Sequence, residues 1–194
     1  MHAEPGGATR DKDALRAAVR AARAALPDAA RAVADVARLP HLLALAAGHA
    51  AVSCYGSLAP EPETWGFVGE LDAAGVGVLL PVLAGRRTPD WAWYAGPAAL
   101  RPGWHGIPEP TTPPLGPDAL GAVSLVVTSA LAATASGERL GTGGGWYDRA
   151  LTHRSPDAVV AALVNEREVL GHLPTEPWDV RVAALVTEAG VRWA

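Results

Sequence analysis

Short apolar runs recur through this chain and are separated by segments of helical or turn-rich sequence. The runs that we predict as strands are residues 50–55, 77–82, 125–128, 159–164 and 183–187, with a short edge strand at 91–94. Apolar runs of about four to eight residues between turn signals are typical of strands buried on both faces. Strands that alternate with helices favour a mostly parallel sheet with helices on its faces. We therefore expect an α/β fold, a single three-layer α/β/α domain with a mostly parallel central sheet that spans residues 1–194.

Other segments show the spacing of helices or the composition of loops. Helices are predicted at residues 12–26, 29–38 and 63–74. In the first of them, Leu15 and Val19 begin an apolar stripe at helical spacing. Residues 1–10 are expected to be a disordered leader, and 101–117 a loop rich in proline and glycine. The turn Gly85-Arg86-Arg87 is expected after the second strand.

The composition limits the class of protein. The chain has 194 residues, a formal net charge of −4 and 49% hydrophobic residues, which suits one globular domain with a substantial core. This acidic balance favours neither nucleic acid nor a membrane surface as a partner. One cysteine, Cys54, excludes an internal disulfide framework and fits a reducing compartment. No signal peptide and no apolar stretch of transmembrane length is evident, so a cytoplasmic protein is expected.

Three consecutive glycines, Gly143 to Gly145, lie between Arg139 and Arg149 and run into a helix predicted to begin at Trp146. Glycine lets the backbone approach a ligand closely, and a helix N-terminus offers unpaired N–H groups to phosphate. The two arginines add charge-assisted contacts. The stretch therefore predicts a phosphate-binding loop, although a flexible Gly-rich linker is the alternative. It is neither a P-loop, since no Gly-Lys-Ser/Thr follows, nor a dinucleotide fingerprint, whose last glycine is replaced by Trp146.

Four basic residues follow one face of the first predicted helix: Lys12, Arg16, Arg20 and Arg23. Most stripes of this kind are solvated helix faces, but only Asp13 opposes this one in charge, so an anionic ligand is the alternative. Lys12 is the only lysine of the chain, beside 15 arginines. A role for a compact ammonium that arginine cannot fill would explain this, and chance at a solvated helix end explains it equally well.

The carboxyl ends of the predicted strands indicate where a ligand would bind. In open parallel α/β sheets, ligands collect in the crevice outside these ends. The loops after Tyr55, Val82, Thr128 and Val164 are expected to meet there. We therefore place the predicted binding site at this edge of the sheet, where the Gly-rich stretch also begins.

Motifs along nearly the whole chain point to one enzyme family. The most specific reads Gly137-Glu138-Arg139-Leu140-Gly141-x-Gly143-Gly144-Gly145-Trp146-Tyr147-Asp148-Arg149. The weaker ones are Lys12-Asp13-Ala14-Leu15-Arg16, Tyr55-Gly56-Ser57 with Glu61-Pro62-Glu63-Thr64, Leu80-Pro81-Val82, Gly106-Ile107-Pro108-Glu109-Pro110, and Leu173-Pro174 with Asp179 and Thr187-Glu188. In content and order they resemble the motifs of the 5-formyltetrahydrofolate cyclo-ligases (methenyltetrahydrofolate synthetases), which normally have Tyr in place of Trp146.

The resemblance implies an enzyme that uses ATP and Mg²⁺ to convert 5-formyltetrahydrofolate, a reduced folate, into 5,10-methenyltetrahydrofolate, ADP and phosphate. The implied mechanism phosphorylates the formyl oxygen, after which N10 attacks the activated carbon and phosphate leaves as the ring closes. Phosphoryl transfer depends on positioning and charge neutralisation rather than on a protein nucleophile. This agrees with the lack of a Gly-x-Ser-x-Gly motif. The resemblance also leads us to expect a monomer acting on a small-molecule substrate.

The resemblance further implies roles for individual residues. Lys12 and Arg139 would act in catalysis, and Asp148 and Asp179 would bind Mg²⁺, for which one or two carboxylates are usual protein ligands. The residues implied in ATP binding are Lys12, Asp13, Ala14, Leu15, Arg16, Arg139, Leu140, Gly141, Thr142, Gly143, Gly144, Gly145, Trp146 and Tyr147. Those implied in folate binding are Glu61, Trp104 and Tyr147.

Simpler roles exist for several of these residues when the resemblance is set aside. Asp148 and Glu61 have the position of acids in the first turn of a helix, where carboxylates are favoured. Asp179 is then an ordinary loop residue, and Trp104 a plug at the edge of the core.

Four positions differ from the common family pattern: Ser129 and Thr134 before the Gly-rich stretch, Arg167, and Trp178 before Asp179. We expect all four to border the active site rather than the core, and to affect the folate side while leaving the nucleotide site intact. Two alternatives therefore remain. The chain is a paralogue that binds ATP but activates another small substrate, or a non-catalytic ligand-binding protein on the same scaffold.

Overall fold

The computed structural model describes residues 7–83 and 88–194 of the chain. Four α-helices occur in this part: α1 Gly7–Ala24, α2 Asp28–Ala46, α3 Trp65–Ala73 and α4 Trp146–Ala150. Short 3₁₀ turns lie at Pro97–Ala99, Trp104–Gly106, Pro117–Ala122, Leu151–His153 and Glu166–Glu168. The predicted turn Gly85-Arg86-Arg87 and the first six residues of the predicted leader lie outside the described residues.

Twelve strands were found in the described ranges. They are β1 Ala51–Ser53, β2 Gly77–Pro81, β3 Trp91–Trp93, β4 Leu100–Pro102, β5 Pro108–Pro110, β6 Leu125–Ser129, β7 Ala132–Thr134, β8 Arg139–Leu140, β9 Val159–Leu163, β10 Val169–Leu170, β11 Ala184–Thr187 and β12 Gly190–Trp193. Seven of them form the central sheet, in the order β12-β11-β9-β6-β1-β2-β3. The five inner strands run parallel, and β12 and β3 pair antiparallel at the two edges.

Successive residues of the inner strands point to opposite faces of the sheet, as the period of a strand requires. In β6, for example, Leu125 and Val127 belong to one apolar cluster and Val126 belongs to the other. The first cluster also contains residues of α2 and α3, and the second contains residues of α4 and the 3₁₀ turns. Because both faces are covered, the expected three-layer α/β architecture with a mostly parallel sheet is confirmed.

The N-terminal helix packs outside these layers. Val19 of α1 is buried against Leu131, Leu140 and Leu173 in a third apolar cluster. This cluster lies beside a small sheet of order β10-β7-β8, which leads into the Gly-rich stretch. The first helix is thereby held next to the predicted phosphate-binding loop.

Several boundaries differ from the prediction. The first helix begins at Gly7, so residues 7–10 belong to it rather than to the expected disordered leader. The second continues through Pro40 to Ala46 instead of ending at 38. A proline inside a helix costs about 3 kcal/mol, and the burial of Leu42 and Ala46 beyond it opposes that cost.

The loop expected at 101–117 is partly ordered as a hairpin. Strands β4 and β5 pair antiparallel within it. The prediction also lacked the C-terminal edge strand β12 and the small sheet. Within the described ranges, no helix is long and apolar enough to cross a membrane.

Candidate active site

The Gly-rich stretch forms an irregular loop between β8 and α4. Gly143 has φ 109° and Gly145 has φ 60°, the left-handed region that favours glycine. The second of these lies directly before Trp146, where α4 begins. The sequence therefore uses glycine where the chain must reverse its course to enter the helix.

Three arginines hold the carbonyl groups of this loop. The hydrogen bonds run from Arg16 Nε to Gly141 O (3.0 Å), from Arg20 Nη2 to Thr142 O (2.9 Å) and from Arg149 Nη1 to Gly144 O (3.0 Å). Because Arg16 and Arg20 are on α1, the basic stripe predicted there fixes the loop to the first helix. The last residue of the stripe does not contact the loop, because the buried side chain of Arg23 donates a hydrogen bond to Glu168.

Lys12 and Asp179 form an ion pair, with 2.6 Å between Nζ and Oδ2. The side chain of Lys12 is 10% exposed, so its ammonium lies well inside the protein surface. Asp179 Oδ2 also accepts a hydrogen bond from the backbone N–H of Glu176. The pair joins α1 to the loop that precedes β11.

Arg139 and Asp148 form a second ion pair, with 2.6 Å between Nη2 and Oδ1. The Arg139 side chain is only 3% exposed. The same Oδ1 of Asp148 accepts a hydrogen bond from the backbone N–H of Val180 at 3.3 Å. Because Val180 follows Asp179 in the chain, the two predicted metal ligands face the same region.

Both ion pairs line a cavity of about 1000 Å³, which we call the cationic cavity. Its charged or titratable lining comprises Lys12, Arg16, Arg139, Arg149 and His153 with Asp148, Glu176 and Asp179. The four permanent cations outnumber the three carboxylates, and the backbone of the Gly-rich loop forms part of the wall. Polyanions such as phosphates are the ligands that this combination favours.

A neighbouring cavity of about 600 Å³, which we call the aromatic cavity, has a different lining. Its aromatic residues are Tyr55, Trp104, His105, Trp146 and Tyr147, its aliphatic ones include Pro81, Leu83 and Ile107, and its charged ones are Arg20, Glu61 and Arg149. Flat walls with a few convergent polar groups are typical of a site for a planar organic ligand.

The Gly-rich loop is the partition between these cavities. Gly141, Gly143 and Gly145 line the cationic cavity, whereas Thr142 and Gly144 line the aromatic one. Arg149 lines both. A phosphate held on one side of the loop is therefore close to a ligand on the other side.

Glu61 is the only carboxylate among the described residues of the aromatic cavity. Its Oε2 accepts a hydrogen bond from the backbone N–H of Leu58 at 3.1 Å. Burial raises the pKa of the Glu61 carboxyl, and this hydrogen bond and the charge of Arg23 oppose the rise. This half-buried carboxylate is able to accept hydrogen bonds from N–H donors of a ligand.

Tyr147 has a buried hydroxyl that makes no hydrogen bond with the described residues. Burial raises the pKa of this phenol well above its ordinary value, so the group remains a neutral donor. Its ring lies 6.0 Å from the guanidinium carbon of Arg139. Tyr147 thus connects the aromatic cavity with the ion pair of Arg139 and Asp148.

The structure brings together most, but not all, of the predicted site residues. Asp13, Ala14 and Leu15 line neither cavity: the first two are exposed, and Leu15 packs on the third apolar cluster. Trp104 is 53% exposed in the aromatic cavity and is therefore not a plug of the core. The loops after β1 and β2 supply lining residues, as expected, and at β6 the lining residue is Ser129, the last residue of the strand. The loop after β9 does not.

The four departures from the family pattern fall into two groups. Ser129 lines the aromatic cavity and Trp178 the cationic one. Thr134 is buried in a turn where its hydroxyl bonds to Glu138 and Ser136, and Arg167 donates to the carbonyl of Ala22 at the end of α1. The expectation that all four border the site is therefore wrong for Thr134 and Arg167.

Arg149 was expected to contact phosphate beside the Gly-rich stretch, and Arg20 belongs to the basic stripe for which an anionic ligand was one interpretation. Both line the aromatic cavity, and Arg149 also lines the cationic one. One buried residue at the site was not among the predicted ligand-binding residues. Glu109 is buried and accepts hydrogen bonds from the N–H groups of Leu83 and Trp104, both of which line the aromatic cavity. Its place in a Gly-Ile-x-Glu-Pro motif was the only signal for it in the sequence.

The donor set of the cationic cavity fits a Mg²⁺ ion bound together with phosphates. Among the described residues, no cluster of three or more metal-binding side chains exists, so an all-protein cage is absent from this part. Two carboxylates, Asp148 and Asp179, face the cavity, and the contacts described above use Oδ1 of the first and Oδ2 of the second. The second oxygen of each carboxylate is left for a ligand, which suits an ion that takes one or two carboxylates plus phosphate and water.

Known proteins resemble this chain in sequence and in fold. A protein of Mycolicibacterium smegmatis named 5-formyltetrahydrofolate cyclo-ligase is 34% identical to this chain over 183 residues, which cover 92% of this chain and 94% of the relative. The solution structure of the Aquifex aeolicus 5,10-methenyltetrahydrofolate synthetase superposes with a TM-score of 0.78 at 25% identity, covering 94% of this chain and 92% of the other.

A synthetase of the same name from Mycoplasma pneumoniae superposes with a TM-score of 0.74. It is 18% identical and covers 92% of this chain and 99% of its own, and it supports the fold. The sequence profile of one family matches residues 8–188. The chain belongs to the 5-formyltetrahydrofolate cyclo-ligase family.

Proposed function

We propose that this enzyme converts 5-formyltetrahydrofolate into 5,10-methenyltetrahydrofolate with consumption of ATP and Mg²⁺. The nucleotide binds in the cationic cavity and the folate binds in the aromatic cavity. The observation that carries the proposal is the partition: one Gly-rich loop lines both cavities with alternate residues. A reaction that transfers a phosphoryl group from a nucleotide to a planar organic molecule needs this adjacency.

On the nucleotide side, Lys12, Arg16 and Arg139 bind the phosphates, and the backbone N–H groups of the loop supply further donors. Of the implied segment at 12–16, only Lys12 and Arg16 are in position to do this. Asp148 and Asp179 would hold Mg²⁺, which would supply positive charge to neutralise the phosphates. Arg139 stabilises charge on the transferred group, and its position beside Asp148 in the cationic cavity supports this role.

On the folate side, Glu61 accepts hydrogen bonds from N–H groups of the pterin ring. Trp104 and Tyr147 supply flat surfaces for the pterin or the aminobenzoyl ring. Arg20, the cation at the Thr142 side of the loop, is available for the negative charge of the glutamate tail. A pterin at Glu61 then has its formyl group near the loop that carries the phosphate.

The chemistry proceeds in two steps. The formyl oxygen attacks the γ-phosphorus of ATP, a new O–P bond forms, and the bond to the ADP oxygen breaks. N10 then attacks the activated formyl carbon, its proton is lost, and phosphate departs with the electron pair of the C–O bond. The protein supplies no covalent intermediate, and Cys54, whose pKa burial raises far above its usual range, is unsuited as a nucleophile.

Two of the positions that differ from the family pattern line the cavities, so a changed substrate is the alternative to be tested. Ser129 borders the folate side and Trp178 the nucleotide side. A paralogue with another substrate would keep the nucleotide site and lose the response to folate. A buried single cysteine fits a reducing compartment, so we place the activity in the cytoplasm.

Ligand-induced thermal shifts in two variants test the assignment of the cavities. Mg-ATP and (6S)-5-formyltetrahydrofolate should each raise the melting temperature of the wild type, because each binds the folded state. Lys12→Ala should lose only the shift with Mg-ATP, and Glu61→Gln only the shift with the folate. A response to Mg-ATP alone would favour the changed substrate, and a response to neither would contradict the proposal.

A further inference from the structure

One large aromatic side chain of the cationic cavity has no partner in the core. Trp178 is 69% exposed, and it belongs to none of the three apolar clusters. It directly precedes Asp179, whose carboxylate pairs with Lys12. Trp178 differs from the other exposed tryptophans because it lines the cationic cavity, where its indole offers a flat face to a ligand.

We propose that Trp178 is the stacking surface for the purine base of the nucleotide. This inference rests on the proposed function, in which the cationic cavity holds ATP. The charged groups and the loop amides account for the triphosphate and the metal ion, which leaves the base and its flat apolar faces to be accommodated. Trp178 offers the largest flat apolar face among the described lining residues.

The size and the composition of the cavity agree with a base at this place. A volume of about 1000 Å³ exceeds what a triphosphate and one metal ion occupy. The aliphatic side chains of Pro89, Leu140 and Val180 also line the cavity, so part of its wall is apolar. Trp178 is one of the four departures from the family pattern, and stacking on its indole gives this departure a function in this chain.

Binding of two ligands distinguishes a base contact from a phosphate contact. The ligands are Mg-ATP and inorganic tripolyphosphate with Mg²⁺, which offers the same charges without base or ribose. Base–aromatic stacking is worth about 1–3 kcal/mol by alanine substitution, which corresponds to a factor of about 5 to 150 in affinity. In titration calorimetry, Trp178→Ala should weaken Mg-ATP by about ten-fold or more and leave tripolyphosphate unchanged.

Two further variants complete the test. Trp178→Phe keeps an aromatic face and should retain most of the affinity for Mg-ATP. Trp193→Ala is the matched control, since Trp193 is 63% exposed, lies on β12 and lines neither cavity. It should bind both ligands like the wild type.

Each outcome decides between the proposals. If Trp178→Ala binds Mg-ATP like the wild type while Lys12→Ala does not, the stacking role is overturned and the nucleotide site stands. If Trp178→Ala weakens tripolyphosphate as much as Mg-ATP, the residue acts by holding Asp179, and stacking is again overturned. If the wild type binds neither ligand, the proposed nucleotide site fails and the stacking role fails with it.

Discussion

Lys12 and Asp179 are separated by 167 residues in the sequence, yet 2.6 Å separates the ammonium nitrogen from a carboxylate oxygen. The pair closes one side of the cationic cavity and ties α1 to the loop before β11. Its chemistry matches the two components of Mg-ATP, because a triphosphate attracts the ammonium and a divalent cation attracts the carboxylate. The same contact that holds the two segments together is thus the expected place of nucleotide binding.

Lys12→Ala is expected to reduce turnover nearly to background while the protein stays folded. The ammonium neutralises phosphate charge in the transition state, and removal of such a contact costs about 2.7–4 kcal/mol. Steady-state rates with Mg-ATP and (6S)-5-formyltetrahydrofolate measure the turnover, and circular dichroism measures whether the variant stays folded. Wild-type rates in the folded variant would remove Lys12 from the nucleotide site.

The unique lysine permits a second test of the same contact. Because Lys12 carries the only side-chain amine of the chain, an amine-specific reagent followed by mass spectrometry reports on this residue directly. Mg-ATP should slow the modification of Lys12, and the folate alone should not. Equal modification with and without Mg-ATP would place the nucleotide elsewhere.

Asp148→Asn is expected to raise the Mg²⁺ concentration that gives half-maximal turnover, since one anionic ligand is lost. It should also lower the free energy of unfolding by about 1–3 kcal/mol, because Arg139, whose side chain is 3% exposed, loses its ion pair. Asp157→Asn is the matched control at an exposed carboxylate that lines neither cavity, so both quantities should change little. An unchanged Mg²⁺ requirement in Asp148→Asn would rule out metal binding by this residue.

Gly143→Ala and Gly144→Ala should differ sharply in nucleotide affinity. Gly143 has φ 109°, and an added Cβ would lie 3.5 Å from Cζ of Arg16. Arg16 Nε donates a hydrogen bond to the carbonyl of Gly141 in the same loop. A non-glycine residue in such a conformation costs about 1–3 kcal/mol, so the loop must distort. At Gly144 nothing lies within 4 Å and φ is not in this region. Calorimetry with Mg-ATP should show weaker binding only for Gly143→Ala; equal affinities would mean that the loop shape does not matter for ATP.

Glu61→Gln should raise the KM for the folate about ten- to hundred-fold, since hydrogen bonds to a charged group contribute about 1.5–3 kcal/mol. In the wild type, the N–H donors of the pterin require the ionised carboxylate. Because burial raises the pKa of Glu61 above 4.5, folate binding should tighten as pH rises through that raised pKa. A KM that is independent of pH over this window, or unchanged in Glu61→Gln, would contradict the role.

The same residue makes a prediction about stability. A carboxyl whose pKa is raised in the folded state contributes stability that is present below its unfolded pKa and lost as pH rises through the folded value. The free energy of unfolding of the wild type should therefore fall relative to that of Glu61→Gln as pH increases above about 4.5. Denaturant unfolding at several pH values measures the difference, and parallel curves for the two proteins would be inconsistent with a raised pKa of Glu61 in the folded state.

Glu168→Ala should destabilise the fold without touching either cavity. Glu168 and Arg23 form a buried pair in which each side chain is 4% exposed. Glu168 also accepts hydrogen bonds from the backbone and the side chain of Asn165. Loss of one member of a buried pair costs about 3–5 kcal/mol. Urea unfolding of Glu168→Ala, compared with the exposed-site variant Asp13→Ala, should show this difference, and a loss below 1 kcal/mol would mean that Arg23 finds another partner.

The fold was predictable where one physical signal dominates. The inner strands are apolar runs buried on both faces, so their positions agree within a few residues with the prediction, as for β2 at Gly77–Pro81. The small sheet was missed because its strands are two or three residues long and carry no periodicity. The extension of α2 beyond Pro40 depends on burial of Leu42, a tertiary contact that local propensity does not contain.

The site was predictable in its residue types and less so in its geometry. The Gly-rich motif located the loop, but its role as a partition depends on which way alternate residues face. The basic stripe of α1 had two interpretations, and the structure divides it: Lys12 and Arg16 line the cationic cavity, Arg20 binds the loop, and Arg23 enters the interior. Long-range pairs such as Lys12 with Asp179 are formed by the fold and have no local signal.

The appearance of 5,10-methenyltetrahydrofolate, followed by its absorbance, tests the central claim most directly. Purified enzyme with (6S)-5-formyltetrahydrofolate and Mg-ATP should form the product together with one ADP and one phosphate per turnover. Omission of ATP, omission of Mg²⁺ or the change Lys12→Ala should each abolish the signal. Product formation that needs neither ATP nor Lys12, or its absence in a folded protein that still binds Mg-ATP, would contradict the account.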